Sequence, residues 1–365
     1  MLAALQTCQI PDSCMPMPRR FLFISLLVLF AVGIAWFSLR SKTPEVPTAI
    51  KQGYHDAMEK ARNGQPGAAR VLYQQLARPD LSDTRRVLLH VELPNYPSPQ
   101  ALKLADADLQ NPVVEVREAA IISIVGLVPN GQRSLLLGPL LDDHEQVVRF
   151  AAANALLGLS PDDLGLYFGP LQQVIDEYEH SLNSQPESAE TQYQLARLHL
   201  HNAQLKEAQQ ALDQTLRLDP GNLPALVMQI EVLDKQGQAD AAQQMLARQL
   251  KAQPDSAYLQ HALGLWLLHH GQSEFALLGL SKAVELAPDN KEYRYDLATT
   301  LHSQEELEAA QKQLQEIVQR HPADRKARVL LINYWKETGQ LQNVQVLLAQ
   351  LEQMNPDDPA LQQGL

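Results

Sequence analysis

The chain has 365 residues, 45% hydrophobic and 20% charged, a length for about two domains and a composition that excludes a disordered tail. Its formal charge is −12, and the N-terminal stretch is locally basic through Arg19, Arg20, Arg40 and Lys42, so the remainder is more acidic still. That balance excludes a broad phosphate-binding surface, and no nucleic-acid partner is expected. The two cysteines, Cys8 and Cys14, precede every predicted folded segment and exclude a disulfide framework or a cysteine-rich zinc site.

Residues 1–20 read as a short tail, in which Met15 and Met17 stand just before Pro18-Arg19-Arg20. Residues 21–39, FLFISLLVLFAVGIAWFSL, are 19 residues without a charge. At 1.5 Å per residue such a helix nearly spans a hydrocarbon core of about 30 Å, so one transmembrane helix is predicted there. A cleaved secretory signal is the competing reading, since Gly33 and Ala35 are small residues at a possible cut. Trp36 and Arg40 just beyond it, and the continuing apolar run, favour the retained anchor. Arg19 and Arg20 before the segment are balanced by Arg40, Lys42 and Lys51 after it, which leaves the orientation open. Residues 43–49, TPEVPTA, carry two prolines and read as a linker.

From residue 50 onward apolar residues recur at i, i+3, i+4 and i+7, with almost no alternating β-branched runs. The predicted fold class is all-α. Residues 48–78 read as a helical hairpin. After it Arg85, Arg117 and Arg149 recur at a spacing of 32, in TRRVLLHVEL, EVREAAIISIVGL and VVRFAAANALLGL. Acidic residues precede the last two, Asp106 and Asp108, then Asp142 and Asp143. This pattern resembles HEAT repeats, which implies HEAT-like helical units over 50–165. Tyr167 to Leu182 then reads as a joining helix.

Pro186, Pro220, Pro254, Pro288, Pro322 and Pro356 recur at a spacing of 34 without a slip. Each follows an apolar helix, as in QTLRLDP and KAVELAP, and most precede Asp or Asn, so one helix stops where a polar cap starts the next. Ala208, Ala242, Ala276 and Ala310 keep the same spacing, with Val344 in the last unit, as do Leu212, Leu246, Leu280, Leu314 and Leu348. Period, turn proline and small residue together resemble the tetratricopeptide repeat over five units, 189–356, inside a domain of 166–365. Leu195-Ala196, Leu263-Gly264 and Leu297-Ala298 fit the family's large–small pair. Gln229-Ile230 and Leu331-Ile332 depart from it, as does the missing tryptophan, and looser or re-angled packing is expected in the second and fifth units.

The expectation is therefore an α-solenoid of HEAT-like and then tetratricopeptide hairpins behind one N-terminal membrane helix. A solenoid buries its core between neighbouring units and leaves a long concave face open to solvent. By register the exposed inner-helix positions are Tyr193 and Arg197, Glu231, His261 and Leu265, Tyr295, Thr299 and His302, and Asn333. Tyrosine, histidine and arginine there suit a protein partner presenting an extended segment or a helix. The lysine and asparagine clamp that some tetratricopeptide proteins use for a C-terminal carboxylate is absent at these positions.

His199 and His201 lie two apart on one helix and project to different faces, and His269 and His270 end a helix before Gly271. Neither pair has a third ligand at motif spacing, so no metal is expected. No CxxCH, GxxxxGK[ST], GxSxG or HExxH occurs, so no cofactor and no enzymatic activity is expected either. The order of parts, including HALGLWLLHHGQSEFALLGLSKAVELAPDN over 261–290, resembles the C-terminal repeat half of bacterial multihaem cytochrome proteins. The resemblance implies a bacterial inner-membrane setting with the repeats on the periplasmic side, and possible association with a redox or respiratory complex. The expected function is a membrane-anchored protein-interaction scaffold. The competing expectation is an accessory or chaperone-like assembly factor for a respiratory cytochrome.

Overall fold

The structure is a computed structural model and describes residues 53–362. The predicted tail, transmembrane segment and linker lie outside the described residues, as do both cysteines. Among the described residues the elements are helices and short 3-10 turns, with no strand. None of those helices is long and apolar enough to cross a membrane.

The first part begins with the pair α1 (Tyr54–Arg62) and α2 (Ala68–Leu76). A row of four helices follows, α3 (Asp83–Glu92), α5 (Val114–Leu127), α7 (Gln146–Leu156) and α9 (Phe168–Asn183), each packed on the next. Between them run α4 (Pro99–Asp108), α6 (Asn130–Leu137) and the one-turn α8 (Pro161–Leu164). An arginine ties each unit to its neighbour. Arg86 donates to the Leu76 carbonyl at 2.8 Å and pairs with Asp108 at 3.0 Å. Arg117 donates to the Asn111 carbonyl at 2.7 Å and pairs with Asp143 at 3.0 Å. Arg149 donates to the Asp143 carbonyl at 2.8 Å and pairs with Glu177.

The residue in this role on α3 is Arg86, which corrects the expectation for Arg85. Arg86, Arg117 and Arg149 each stand fourth in their helix, whereas Arg85 is exposed and lies 5.1 Å over the Tyr54 ring. A strict count of 32 misses this because helix starts, and not residue numbers, set the register.

Five helix pairs make up the second part: α10 (Ala189–His201) with α11 (Leu205–Leu218), α12 (Leu223–Lys235) with α13 (Ala239–Ala252), and α14 (Ala257–His269) with α15 (Ser273–Leu286). The last two are α16 (Lys291–Ser303) with α17 (Leu307–Arg320), and α18 (Arg325–Glu337) with α19 (Leu341–Met354). A single turn, α20 (Pro359–Gln362), ends the described chain. Each first helix is capped two residues after its proline. Ser188, Asn222, Ser256, Asn290 and Asp324 accept hydrogen bonds from the third amide beyond, at 2.8–3.3 Å. Every first helix then leaves through a left-handed residue, at Ala203, Gly237, Gly271, Glu305 and Gly339. Proline stops a helix, the cap satisfies orphan amides, and the left-handed residue turns the chain back.

Ala208, Ala242, Ala276 and Ala310 are wholly buried where paired helices cross. The closest pair is α14–α15, because a Cβ on Gly264 would stand 2.6 Å from the Leu280 side chain. Helices pack less closely in α12–α13 and α18–α19, the two units in which Gln229-Ile230 and Leu331-Ile332 replace the large–small pair.

The described array closes on itself. Gly67 donates its amide to the Gln353 carbonyl at 2.7 Å, and Asn355 donates its side-chain amide to the Pro97 carbonyl at 2.7 Å. Ala323 and Met354 from the last units share one buried apolar cluster with Met58, Ala61 and Ala68 from the first hairpin. Gly64, at φ +56°, fits so tightly that a Cβ would meet the Pro322 carbonyl oxygen at 2.4 Å. The concave face expected to lie open is thus the inner face of a closed superhelix. The cause is apolar: the last unit finds on α1–α2 the surface that every earlier unit finds on its successor.

Candidate functional site

The first helices of the five pairs carry the inner face, and three cavities open on it. The largest, about 870 Å³, lies where the two parts of the chain meet. Its walls are Leu157 and Gly158 after α7, Leu164 and Phe168 at α8–α9, Arg197, Leu200 and His201 on α10, and Met228 on α12. A second cavity of about 440 Å³ continues between α12 and α14, walled by Val227, Ile230, Leu265 and Trp266, and it shares Glu231 and Lys235 with the first. The third, about 420 Å³, has Pro94, Asn95 and Gly126 on one side and Lys291, Tyr295, Lys326, Leu330 and Asn333 on the other.

The sequence-derived candidates divide between two roles. Arg197 and Glu231 line the first cavity, Glu231 and Leu265 the second, and Tyr295 and Asn333 the third. The remainder make contacts within and between the helices. His261 sets its Nε2 2.7 Å from Asp296 of the next unit and stacks on Tyr293, ring centroids 4.4 Å apart. His302 repeats this one unit on, 2.6 Å from Glu337 and 3.8 Å from the Tyr334 ring. Thr299 donates to the Asp296 carbonyl at 3.0 Å, and Tyr193 is half-buried against the main apolar cluster.

Charge on this face is unevenly matched. Lys291 pairs with Asp324 at 2.7 Å and Arg325 with Asp358 at 2.6 Å, each basic residue engaging the cap of the following unit. Glu231 and Lys235 form a loose exposed pair at 3.6 Å. Arg197 donates only to Gln194, at 2.9 Å, and the Lys326 ammonium lies 3.7 Å over the Tyr295 ring. Among the described residues neither Arg197 nor Lys326 has a carboxylate at ion-pair distance. Burial pushes the Tyr295 phenol up, reinforced by Asp324, Asp296 and Glu292 nearby. His201 accepts the Gly158 amide on Nδ1 at 3.1 Å, and its burial pushes the imidazole down. A face of this kind offers apolar sockets with two unpaired cations, which suits a segment bearing apolar and acidic side chains.

His199 and His201 act separately, whereas His269 and His270 meet edge-on, ring centroids 5.4 Å apart, and both face Asp234. His199 lies 2.8 Å from the Gln204 side chain, while His201 serves Gly158. His270 is 2.9 Å from Asp234 of the preceding unit, with its ring 4.1 Å from Trp266, an interaction that the helix-end reading did not contain. Asp234, Trp266 and Phe168 were missed as wall residues. Asp234 pairs across units with His270, Trp266 meets His270 at the end of its own helix, and Phe168 precedes the repeats, so the 34-residue period carries no signal for any of them. Among the described residues no three His, Cys, Asp or Glu side chains gather into a metal-holding group.

Comparison with known families finds two matches, both described as tetratricopeptide repeat, over residues 204–265 and 277–364. No curated protein matches the chain. Similar solved structures include a MamA protein, 16% identical over 46% of this chain and 91% of its own, TM-score 0.37. Another is YrrB, a TPR protein with an unusual peptide-binding site, 22% identical over 52% and 98%, TM-score 0.35. A third is TTC0263, a thermophilic TPR protein of Thermus thermophilus, 22% identical over 56% and 98%, TM-score 0.39. Helix pairs, caps, turns and family matches agree: the second half of the chain carries tetratricopeptide repeats.

Proposed function

We propose that this protein is a membrane-anchored interaction scaffold whose inner face binds an extended segment or a helix of a partner protein. The observation that carries the reading is the run of cavities along the first helices of the pairs, with Arg197, Glu231, Leu265, Tyr295 and Asn333 in their walls. Tethering through the apolar residues 21–39 would hold the partner near the bilayer, where a raised effective concentration makes weak binding sufficient. The helical pairs of the first part are HEAT-like in this reading, and the repeats stand on the periplasmic side of a bacterial inner membrane.

A photo-crosslinking residue placed in turn at Leu265, Asn333, Phe275 and Leu278 of the full chain, in its native membrane, tests the reading. Phe275 and Leu278 are 61% and 69% exposed on the second helix α15. The expected result is one partner captured from Leu265 and Asn333 and lost on combined replacement of Arg197 and Tyr295 by alanine. Capture from Phe275 and Leu278 alone overturns it.

A further inference from the structure

The seam that closes the superhelix differs from every other interface in the described array. Successive units are joined by the chain itself, so separating them breaks contacts without releasing the units. Nothing covalent crosses between α1–α2 and α19. The seam is held by the Gly67 to Gln353 and Asn355 to Pro97 hydrogen bonds, both 2.7 Å, and by burial of Met354 and Ala323. In a stack whose stability is a sum of neighbour terms, the interface without a covalent link is the one that opens at the cost of its own contacts alone.

The third cavity lies at this seam. Pro94, Asn95 and Gly126 come from the leading arm; Tyr295, Lys326 and Asn333 come from the trailing arm. Arg328, beside Lys326 in the same helix, donates to the Pro322 carbonyl that presses on Gly64. Whatever fills the cavity touches both arms at once. Three cations, Lys291, Arg325 and Lys326, line it against two carboxylates, Glu292 and Asp324; Lys291 pairs with Asp324 and Arg325 with Asp358, while the Lys326 ammonium rests on the Tyr295 ring.

We propose that the seam is a clasp which opens to admit the partner segment to the inner face, and that an acidic side chain of that segment, seated at Lys326, bridges the arms and holds the clasp shut. This rests on the reading that the inner face binds a partner. It adds the entry route and the partner's chemistry. Large partners enter sideways through the seam and need no free end to thread.

Native-state hydrogen exchange on the full chain measures the opening directly, because the Gly67 amide crosses the seam while the Leu72 amide lies within α2. Gly67 is expected to exchange at least about a hundredfold faster than Leu72. Asn355→Ala should accelerate Gly67 by about a further tenfold while Leu72 stays at least about a hundredfold slower than Gly67, which also shows that the variant is folded. Exchange of both amides at one rate overturns the clasp. The occupant is tested with a displayed library of random twelve-residue peptides selected on the full chain. Enrichment of Asp or Glu that disappears with Lys326→Gln, and peptides that slow Gly67 exchange, support the proposal. Peptides that crosslink at Leu265 but are indifferent to Lys326 and to Gly67 exchange overturn the bridging role and leave the inner-face reading standing. A failure to select any inner-face peptide counts against that reading, while the exchange result still decides the clasp.

Discussion

Asn355 donates its side-chain amide to the carbonyl of Pro97, 258 residues earlier in the chain, at 2.7 Å. At 1% exposure the asparagine itself is sealed from solvent, while Pro97 is partly exposed. Asn355→Ala leaves the part-buried Pro97 carbonyl without its donor but also removes a buried side-chain oxygen that has no partner among the described residues, and it is expected to cost about 1 kcal/mol in urea unfolding. Asn343→Ala, which removes only an exposed bond to Gln340, should stay within about 0.5 kcal/mol.

Ala203 and Glu305 occupy left-handed backbone, φ 55° and 63°, at the position where three of the five units have glycine. A Cβ is disfavoured there, and the entropy that glycine costs in the unfolded chain offsets only part of the relief. Ala203→Gly and Glu305→Gly are each expected to stabilise by about 0.5–1 kcal/mol, read as a higher urea midpoint. Gly271→Ala, at φ 70°, should do the opposite by a similar amount.

Asp108 accepts from the buried His90 imidazole at 2.9 Å and from Arg86 at 3.0 Å, and His90 reaches Ser123 on α5 at 2.9 Å. Burial alone would raise the Asp108 carboxyl, but the hydrogen bonds from His90 and Arg86 outweigh it and hold the group below its ordinary value. A depressed carboxyl contributes stability that is present above the unfolded value of about 3.9 and is lost as pH falls through the lower folded value. Asp108→Asn should therefore cost about 3 kcal/mol at pH 7 and flatten the acid limb of a pH-dependent unfolding series.

The sign for His201 follows from its neutral role. Its folded value is pushed down, so the stability it contributes is complete above the unfolded value of about 6.5 and is lost as pH falls below it. His201→Gln should remove that part of the slope below about pH 6.5, measured as the difference between variant and parent unfolding curves.

The repeat ruler made the second half legible because one chemical event, helix stop followed by cap, recurs at each proline. The same periodicity placed Arg197, Glu231, Leu265, Tyr295 and Asn333 on cavity walls. It could not say that His261 and His302 turn sideways onto Asp296 and Glu337, since those partners lie one unit away and their positions are not fixed by the period. The reading of Arg85 fell one residue short of Arg86 because helix starts drift where no proline fixes them. Closure was invisible for a more basic reason: Asn355 and Pro97 lie 258 residues apart in different parts of the chain, and neither position is marked by a period.

Joining the two extremities removes a freedom that stacked helical arrays ordinarily enjoy. An open spiral tolerates one unit more or fewer, because only its length changes. Here, adding or deleting a 34-residue segment would rotate Met354 and Asn355 away from Gly64, Gly67 and Pro97 by a whole step, so the number of units is itself a structural constant of this molecule.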